Sequence, residues 1–560
     1  MPRLGRAATL AGALVIAGAS ACSFILDFQE CRDNADCEVD GGPPMTCSDD
    51  RRCVAADELK CTSHQACADD FGDDFLCSVG GTCVSALTAE CTKIHWPTGE
   101  RDKAVLLGTI IPVSPPYDAI TVPLRNAVEL AVEDFNKTVE LPGGRRVAWL
   151  ECDDHGVLER SQLAAEHLVS TVGAPAIVGP IFSEQVLKIA KEVTIPGDTF
   201  LITPTASNKD ITTLDDKNLV WRPIPSDVYQ ASALRDRIPT IAGEACMVDA
   251  QCPGSVTCDA MSGCAAPKKV VVLTKNDAYG NGLYADMLAE LEAKLPQGGL
   301  VHIAYPDPAS FATVDELKSA YGAVIAQTFM ALPDTVVILG TSEAADLVGG
   351  YLQALSTLNP VPMPPRFVFS HGAVPVMEKT ITQIGDPAIE TVMLGLVEGT
   401  SPIIQDPENF AAYNIRYKIR YSNQEALTTS SLSYDATLSV LFAMSTAGPE
   451  EAITGPLVAA GMAKLVDKAG TPVSFSADGV ELPFIETARN TLAAGGTVDL
   501  QGVSGPLDYD LQTGEVRTDI LGWDLLPKSG TTNVPVLTPT RIYVLDAPPA
   551  TTGTWVPLMP

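Results

Sequence analysis

From residue 102 onward, short apolar runs alternate with longer stretches in which apolar residues recur every three or four positions. Lys103 to Pro112 (KAVLLGTIIP) has the length and texture of a buried strand, and Leu124, Val128, Ala131, Val132 and Phe135 follow it at helical spacing. Arg146 to Glu151 (RVAWLE) predicts a second strand, Ser161 to Val172 a second helix, and Pro175 to Gly179 (PAIVG) a short strand running into a helix from Ser183. The alternation resumes at Lys268 to Thr274 (KKVVVLT), Thr335 to Gly340 (TVVILG) and Arg366 to Ser370 (RFVFS). Strands that are apolar throughout, separated by amphipathic helices, predict parallel sheets covered by helices. Two such blocks predict two α/β lobes.

The first hundred residues have a different texture. Arg3 and Arg6 precede an apolar stretch from Ala7 to Ala21, the charged start and short apolar segment of a secretory signal. It ends Ala19-Ser20-Ala21-Cys22, which looks like the site where bacterial lipoproteins are cut and diacylated on the new N-terminal cysteine. Ordinary cleavage near Ala21, with Cys22 in a disulfide, is the alternative. No later stretch approaches the ~18 consecutive apolar residues of a membrane-spanning helix.

Setting Cys22 aside leaves fourteen cysteines, an even number in a chain with an export signal, which favours a disulfide framework. Cys31, Cys37, Cys47 and Cys53 read C-x5-C-x9-C-x5-C, and Cys61, Cys67, Cys77 and Cys83 repeat that spacing thirty residues later. A tighter copy, Cys246, Cys252, Cys258 and Cys264, sits downstream as an insertion in a surface loop. Zinc sites favour cysteines two to four residues apart, so no metal or other cofactor is expected. Units this small need cross-links in place of a core. Four cysteines allow three pairings and the spacing does not choose among them; Cys91 and Cys152 remain as a pair by default.

The formal net charge of −32 repels phosphate backbones and excludes nucleic acid as a ready partner. The acidic pairs Asp69-Asp70 and Asp73-Asp74 lack the spacing of a calcium loop. Gly280-Asn-Gly282 imitates a dinucleotide fingerprint but stands five residues beyond its strand, and no nucleophile elbow, Walker loop or HExxH pair occurs. No enzymatic activity is expected.

Five short motifs in order carry a resemblance: Gly179-Pro-Ile-Phe-Ser183, Ile202-Thr-Pro-Thr-Ala206-Ser207, Asp277-Ala-Tyr279-Gly280-Asn-Gly282, Ser433-Tyr434-Asp435-Ala436, and Gly505-Pro-Leu-Asp-Tyr-Asp510. Over roughly Lys103 to Leu526 the chain resembles the type I periplasmic binding proteins, specifically the branched-chain amino-acid binding family of importer subunits. The resemblance implies two α/β lobes of parallel sheet joined by three crossovers, closing like a hinge on a ligand. Lobe 1 would take about 103–225 and 401–502, and lobe 2 about 226–400 and 503–545. A signal peptide at 1–21, a cysteine-rich stalk at 22–100 and the four-cysteine insertion at 240–266 complete the expected organisation. In the motifs, Ser433 to Ala436 would start a helix and Gly505 to Asp510 would form the final strand.

Ligands of parallel α/β sheets collect beyond the carboxyl ends of the strands, where helix N-termini point. Ser183 follows the PAIVG strand as the expected N-cap of its helix, and Ala206 and Ser207 would add a backbone N–H and a hydroxyl for the same anionic group. Tyr279 would cover the ligand from the second lobe and Tyr117 from the first, with Thr341 a weaker contact. Where the family's amino-acid binders place an acid, this chain has His371 in Phe369-Ser370-His371-Gly372. A histidine is neutral or cationic near pH 7, so a carboxylate, amide or sugar-like ligand fits as well as an amino acid. The expected function is an exported, lipid-anchored protein of the periplasm or cell envelope. It would bind a small polar ligand and deliver it to an ABC-type permease; the alternative is an envelope sensor or protein-interaction lipoprotein on the same fold.

Overall fold

The computed structural model describes residues 51–241, 269–359, 363–377, 393–402, 406–475, 482–528 and 534–558, with short pieces at 31, 34–37, 45–48, 258–259, 263–264, 391 and 530–531. The expected signal segment, Cys22, Cys246 and Cys252 lie outside the described residues.

The apolar runs form two sheets. The first is ordered Val220–Trp221, Phe200–Ile202, Ala176–Val178, Val105–Ile110, Val147–Cys152 and Cys91–His95. All of its pairings are parallel except the last, where Cys91–His95 runs against Val147–Cys152 and Cys91 faces Cys152, to which it is disulfide-bonded. The second sheet is ordered Leu300–Tyr305, Val270–Lys275, Thr335–Leu339, Arg366–Phe369, Val397–Ser401, Ile520–Pro527, Pro535–Leu545 and Gly553–Pro557. Its first five strands are parallel and its last three antiparallel.

Burial explains why these runs became strands. Every residue of Val105–Ile110, Val147–Cys152, Val270–Lys275 and Thr335–Leu339 is buried, as strands covered on both faces require. Helix Asp118–Thr138 buries Leu124, Val128, Ala131, Val132 and Phe135 together on one face. Against it lies helix Ser430–Met444, fully buried, with the Tyr434 hydroxyl donating to Asp134 at 2.9 Å.

The Ser433–Ala436 motif therefore occupies the interior of a helix that starts at Ser430, and Asp435 caps a different element: it accepts the backbone N–H groups of Val503 and Ser504 at 3.0 and 2.6 Å. Gly505–Asp510 joins neither sheet. It makes only the isolated bridges Gln501 to Pro506 and Tyr509 to Val516, and the strand expected there begins at Ile520. The reason is that Leu507 and Tyr509 are held in the first lobe's core, so the chain has not yet crossed.

Three passages link the sheets: after Trp221, between Ser401 and Pro407, and between Gln501 and Ile520. They are tied to one another. Arg222 is almost fully buried and pairs with Glu515, and Thr518 donates to the Pro402 carbonyl at 2.8 Å.

Cysteine pairing within the two N-terminal modules is first to third and second to fourth. The described residues up to Leu59 belong to one compact unit and contain Cys31–Cys47 and Cys37–Cys53, with Met45–Cys47 pairing antiparallel with Cys53–Ala55. The repeat, Cys61–Cys77 and Cys67–Cys83, belongs to the large unit. It packs on the first lobe, where Leu76 and Ala86 share a core with Leu168 and Val172, and the Val79 N–H donates to the Thr171 carbonyl at 3.1 Å. In the third copy Cys258 is the partner of Cys264 on two paired strands of two residues each, the register that Cys77 and Cys83 show.

Candidate functional site

The strand ends of the two sheets converge on one cavity. From the first lobe come Ile120, Thr121 and Leu124 of helix Asp118–Thr138, then Ile181, Phe182, Ser183, Thr205 and Thr429. From the second come Asp277, Tyr279, Thr341, His371 and Gly372. The walls leave about 60 Å³ for the centres of water-sized atoms. One water needs roughly 10–15 Å³ on that measure, so the site admits a small ligand and not a nucleotide.

Gly179 sets the approach of the Ser183 turn. It has φ of +102°, and a Cβ there would stand 2.2 Å from the Ile110 carbonyl oxygen. Only glycine fits. Ser183 is the first helical residue and not the N-cap: Phe182 holds that position, and the Ser183 hydroxyl accepts the Asn208 N–H at 3.2 Å instead. That leaves the hydroxyl hydrogen of Ser183 available to the cavity it lines. Ala206 differs from expectation as well. Its N–H is taken by the Thr203 hydroxyl at 3.2 Å and its carbonyl by Arg222, and it is not part of the lining. Ser207 is buried and is not part of the lining either. The neighbouring Thr205 lines the cavity but donates to the Ile181 carbonyl, so toward a ligand it only accepts.

In the second lobe, Asp277 caps helix Ala278–Lys294 by accepting the Gly280 N–H at 2.8 Å, which brings Tyr279 into the wall. The Tyr279 hydroxyl meets His371 Nδ1 at 3.2 Å, with the rings edge to face. His371 Nδ1 also meets Gln230 Oε1 at 3.2 Å; with the amide so oriented, Nδ1 carries the proton and Nε2 accepts. Burial holds His371 down at about 4, so the ring is neutral at physiological pH. The Thr341 hydroxyl is committed to Glu343. Tyr117 is fully buried but outside the lining, where its hydroxyl donates to Asp307 of the second lobe.

Three groups went unnoticed in the sequence. Asp277 was read only as part of a motif, and Thr429 precedes a helix with no apolar run before it. The Thr429 hydroxyl is buried in the wall with no hydrogen-bond partner among the described residues. The third, Asp227, follows a strand of two residues and starts the crossover helix Asp227–Arg237. Its carboxyl is buried outside the lining, beside the Ser207 hydroxyl, and has no other partner among the described residues. Gln230, one turn later, has an unpartnered Nε2. Burial pushes Asp227 up to about 7. Unpaired buried carboxylates are costly, so a group left this way points to a cationic or hydrogen-bond-donating partner.

A two-lobed α/β protein with parallel sheets, three crossovers and a small cavity between facing strand ends is a type I periplasmic binding fold. The periplasmic binding protein family model matches residues 104–479, more than half of the chain, and the chain belongs to that family. Membership places it in the periplasm or outside the cell, among the periplasmic binding proteins. No helix among the described residues is long and apolar enough to cross a membrane. Solved structures agree on the fold. The leucine-binding protein LivK of Thermotoga maritima has a TM-score of 0.53 at 17% identity, covering 78% of this chain and 98% of its own. The branched-chain amino-acid transporter protein LivJ of Streptococcus pneumoniae, in complex with isoleucine, has 0.52 at 14%, covering 78% and 99%. A solute-binding protein of R. palustris, in complex with 4-hydroxybenzoate, has 0.54 at 14%, covering 79% and 97%. No curated protein matches the chain in sequence.

Proposed function

We propose that this chain is the substrate-binding lipoprotein of an ABC-type importer, anchored through Cys22, and that its ligand is a small molecule with an amino group and an apolar body. It catalyses nothing. The observation that carries the ligand class is Asp227, a buried carboxyl with no partner but Ser207 among the described residues, set beside Tyr279. The aliphatic walls Ile120, Leu124 and Ile181 suit a hydrocarbon side chain, and the hydroxyls of Ser183 and Thr429 suit a carboxylate or amide oxygen. His371 leaves the family's usual acidic position empty of charge, and Asp227 supplies that charge from the crossover helix. An amino acid or its amide thus fits better than a sugar. The relatives in complex with isoleucine and 4-hydroxybenzoate support a compact ligand with an apolar portion.

Capture would follow the population shift of a hinged protein: ligand binds the closed arrangement of the lobes better and so favours it, and the closed form docks on a permease. The alternative, an envelope sensor or interaction protein, draws on the disulfide module seated against the first lobe. Uptake decides between them. In cells lacking the protein, uptake of a radiolabelled apolar amino acid should fall, and the wild-type chain should restore it where Ser183→Ala does not. Undiminished uptake of every amino acid and amide tested would refute the importer role.

A further inference from the structure

Lys275 ends the second-lobe strand Val270–Lys275, and its side chain has no exposed surface. All three of its N–H donors are engaged. Asp307 Oδ2 lies at 2.7 Å, Asp277 Oδ2 at 3.2 Å and the Tyr117 hydroxyl at 3.0 Å. The same ammonium stands 5.0 Å from the centre of the Tyr117 ring and 4.8 Å from that of Phe182, within the range at which aromatic faces attract cations. Tyr117 also donates to Asp307. Tyr117 and Phe182 come from the first lobe; Lys275, Asp277 and Asp307 come from the second. A cation of one lobe is therefore roofed by two rings of the other.

We propose that Lys275 is a built-in cation that latches the lobes shut and withdraws Asp277 from ligand recognition. The proposal rests on the cleft reading above. Asp277 lines the cavity and would otherwise be the first acid a ligand met, but its charge is already answered by Lys275. Burial opposes the ammonium, and the carboxylates Asp277, Asp307 and Glu343 outweigh it, so the group stays charged. Opening the lobes would remove the rings and the Tyr117 hydroxyl while leaving Lys275 its own two carboxylates. The latch thus biases an equilibrium and does not lock it. A larger closed fraction raises apparent affinity in proportion, because only the closed arrangement is fully competent. The contact between Asn208 Nδ2 and the Ala278 carbonyl, at 2.5 Å, adds a second bridge between the lobes.

Small-angle scattering of the full disulfide-bonded chain, with no added ligand, tests this. Tyr117→Phe keeps the ring and removes the bridging hydroxyl, and Asp307→Asn keeps the shape and removes the charge. Circular dichroism and cooperative melting establish that both variants are folded. The wild type should scatter as the closed arrangement does, and both variants should show a larger radius of gyration. If both scatter as the wild type does, or if the wild type is already open, the latch is refuted. The readout needs no ligand, so failure of the latch and failure of the importer reading are separate results.

Discussion

Asp227 binds charge at the expense of stability. Its carboxyl titrates near 7 in the folded chain and near 4 when unfolded, so the folded state holds the proton more tightly. The stability this confers is complete below about pH 4 and is lost as pH rises through 7. Asp227→Asn should therefore raise the melting temperature at pH 8, the gain shrinking at pH 5, while ligand binding is lost. Equal melting of variant and wild type at pH 8 would mean the carboxyl is satisfied by groups other than Ser207. His371 runs the other way. Held at about 4 by burial, it contributes stability above about pH 6.5 that is lost as pH falls through 4. Ser183, Tyr279 and His371 were legible in the sequence because each stands just after an apolar strand. Asp227 was not, because its strand is only Val220–Trp221 and leaves no apolar run to mark its end.

At the scale of elements, the hinge is pinned by Arg222. Its guanidinium bonds Glu515, the carbonyls of Ala206 and Asn208 at 3.2 and 2.9 Å, and the Thr212 hydroxyl at 2.7 Å. It thereby holds the Ala206–Asn208 turn against the third crossover. Removing one partner of a buried pair costs about 3–5 kcal/mol, so Arg222→Met should lower the urea midpoint by that equivalent and weaken ligand binding. A loss below about 1 kcal/mol would show that the pair is dispensable.

Gly282 tests the interlobe seam from the other side. A Cβ there would stand 2.4 Å from Asn208 Nδ2, across the cleft. Gly282→Ala should weaken ligand affinity and enlarge the ligand-free radius of gyration, since the contact exists only when the lobes meet; unchanged affinity would show that Asn208 moves aside freely. The parallel strands were legible because they are apolar on both faces. Cys91–His95 (CTKIH) was not: it is an antiparallel edge strand with few apolar residues, placed by its disulfide and its pairing with Val147–Cys152. The strand Gly553–Pro557 escaped notice for a similar reason, being a largely exposed sheet edge.

The whole molecule is a capture device whose parts answer different constraints. Disulfides stabilise modules too small for a core, and in the large unit the second module rests on the first lobe through Leu76, Ala86 and Val79. The two lobes each have their own core, and the ligand site is assembled from strand ends that meet only across the crossovers. Sequence order could name the motifs but not which of their polar atoms were already engaged; Ala206 and Thr341 were spent on local hydrogen bonds, and the Thr429 hydroxyl has no partner among the described residues.

The most direct test of ligand capture is the melting temperature of the full disulfide-bonded chain in the presence of amino acids, their amides, short carboxylates and sugars. A ligand that binds only the folded state stabilises it by about 2.7 kcal/mol at a hundred times its dissociation constant. The account predicts a rise with an apolar amino acid or amide, absent in both Ser183→Ala and Asp227→Asn. No rise with any of these molecules, or a rise that survives both substitutions, would contradict it.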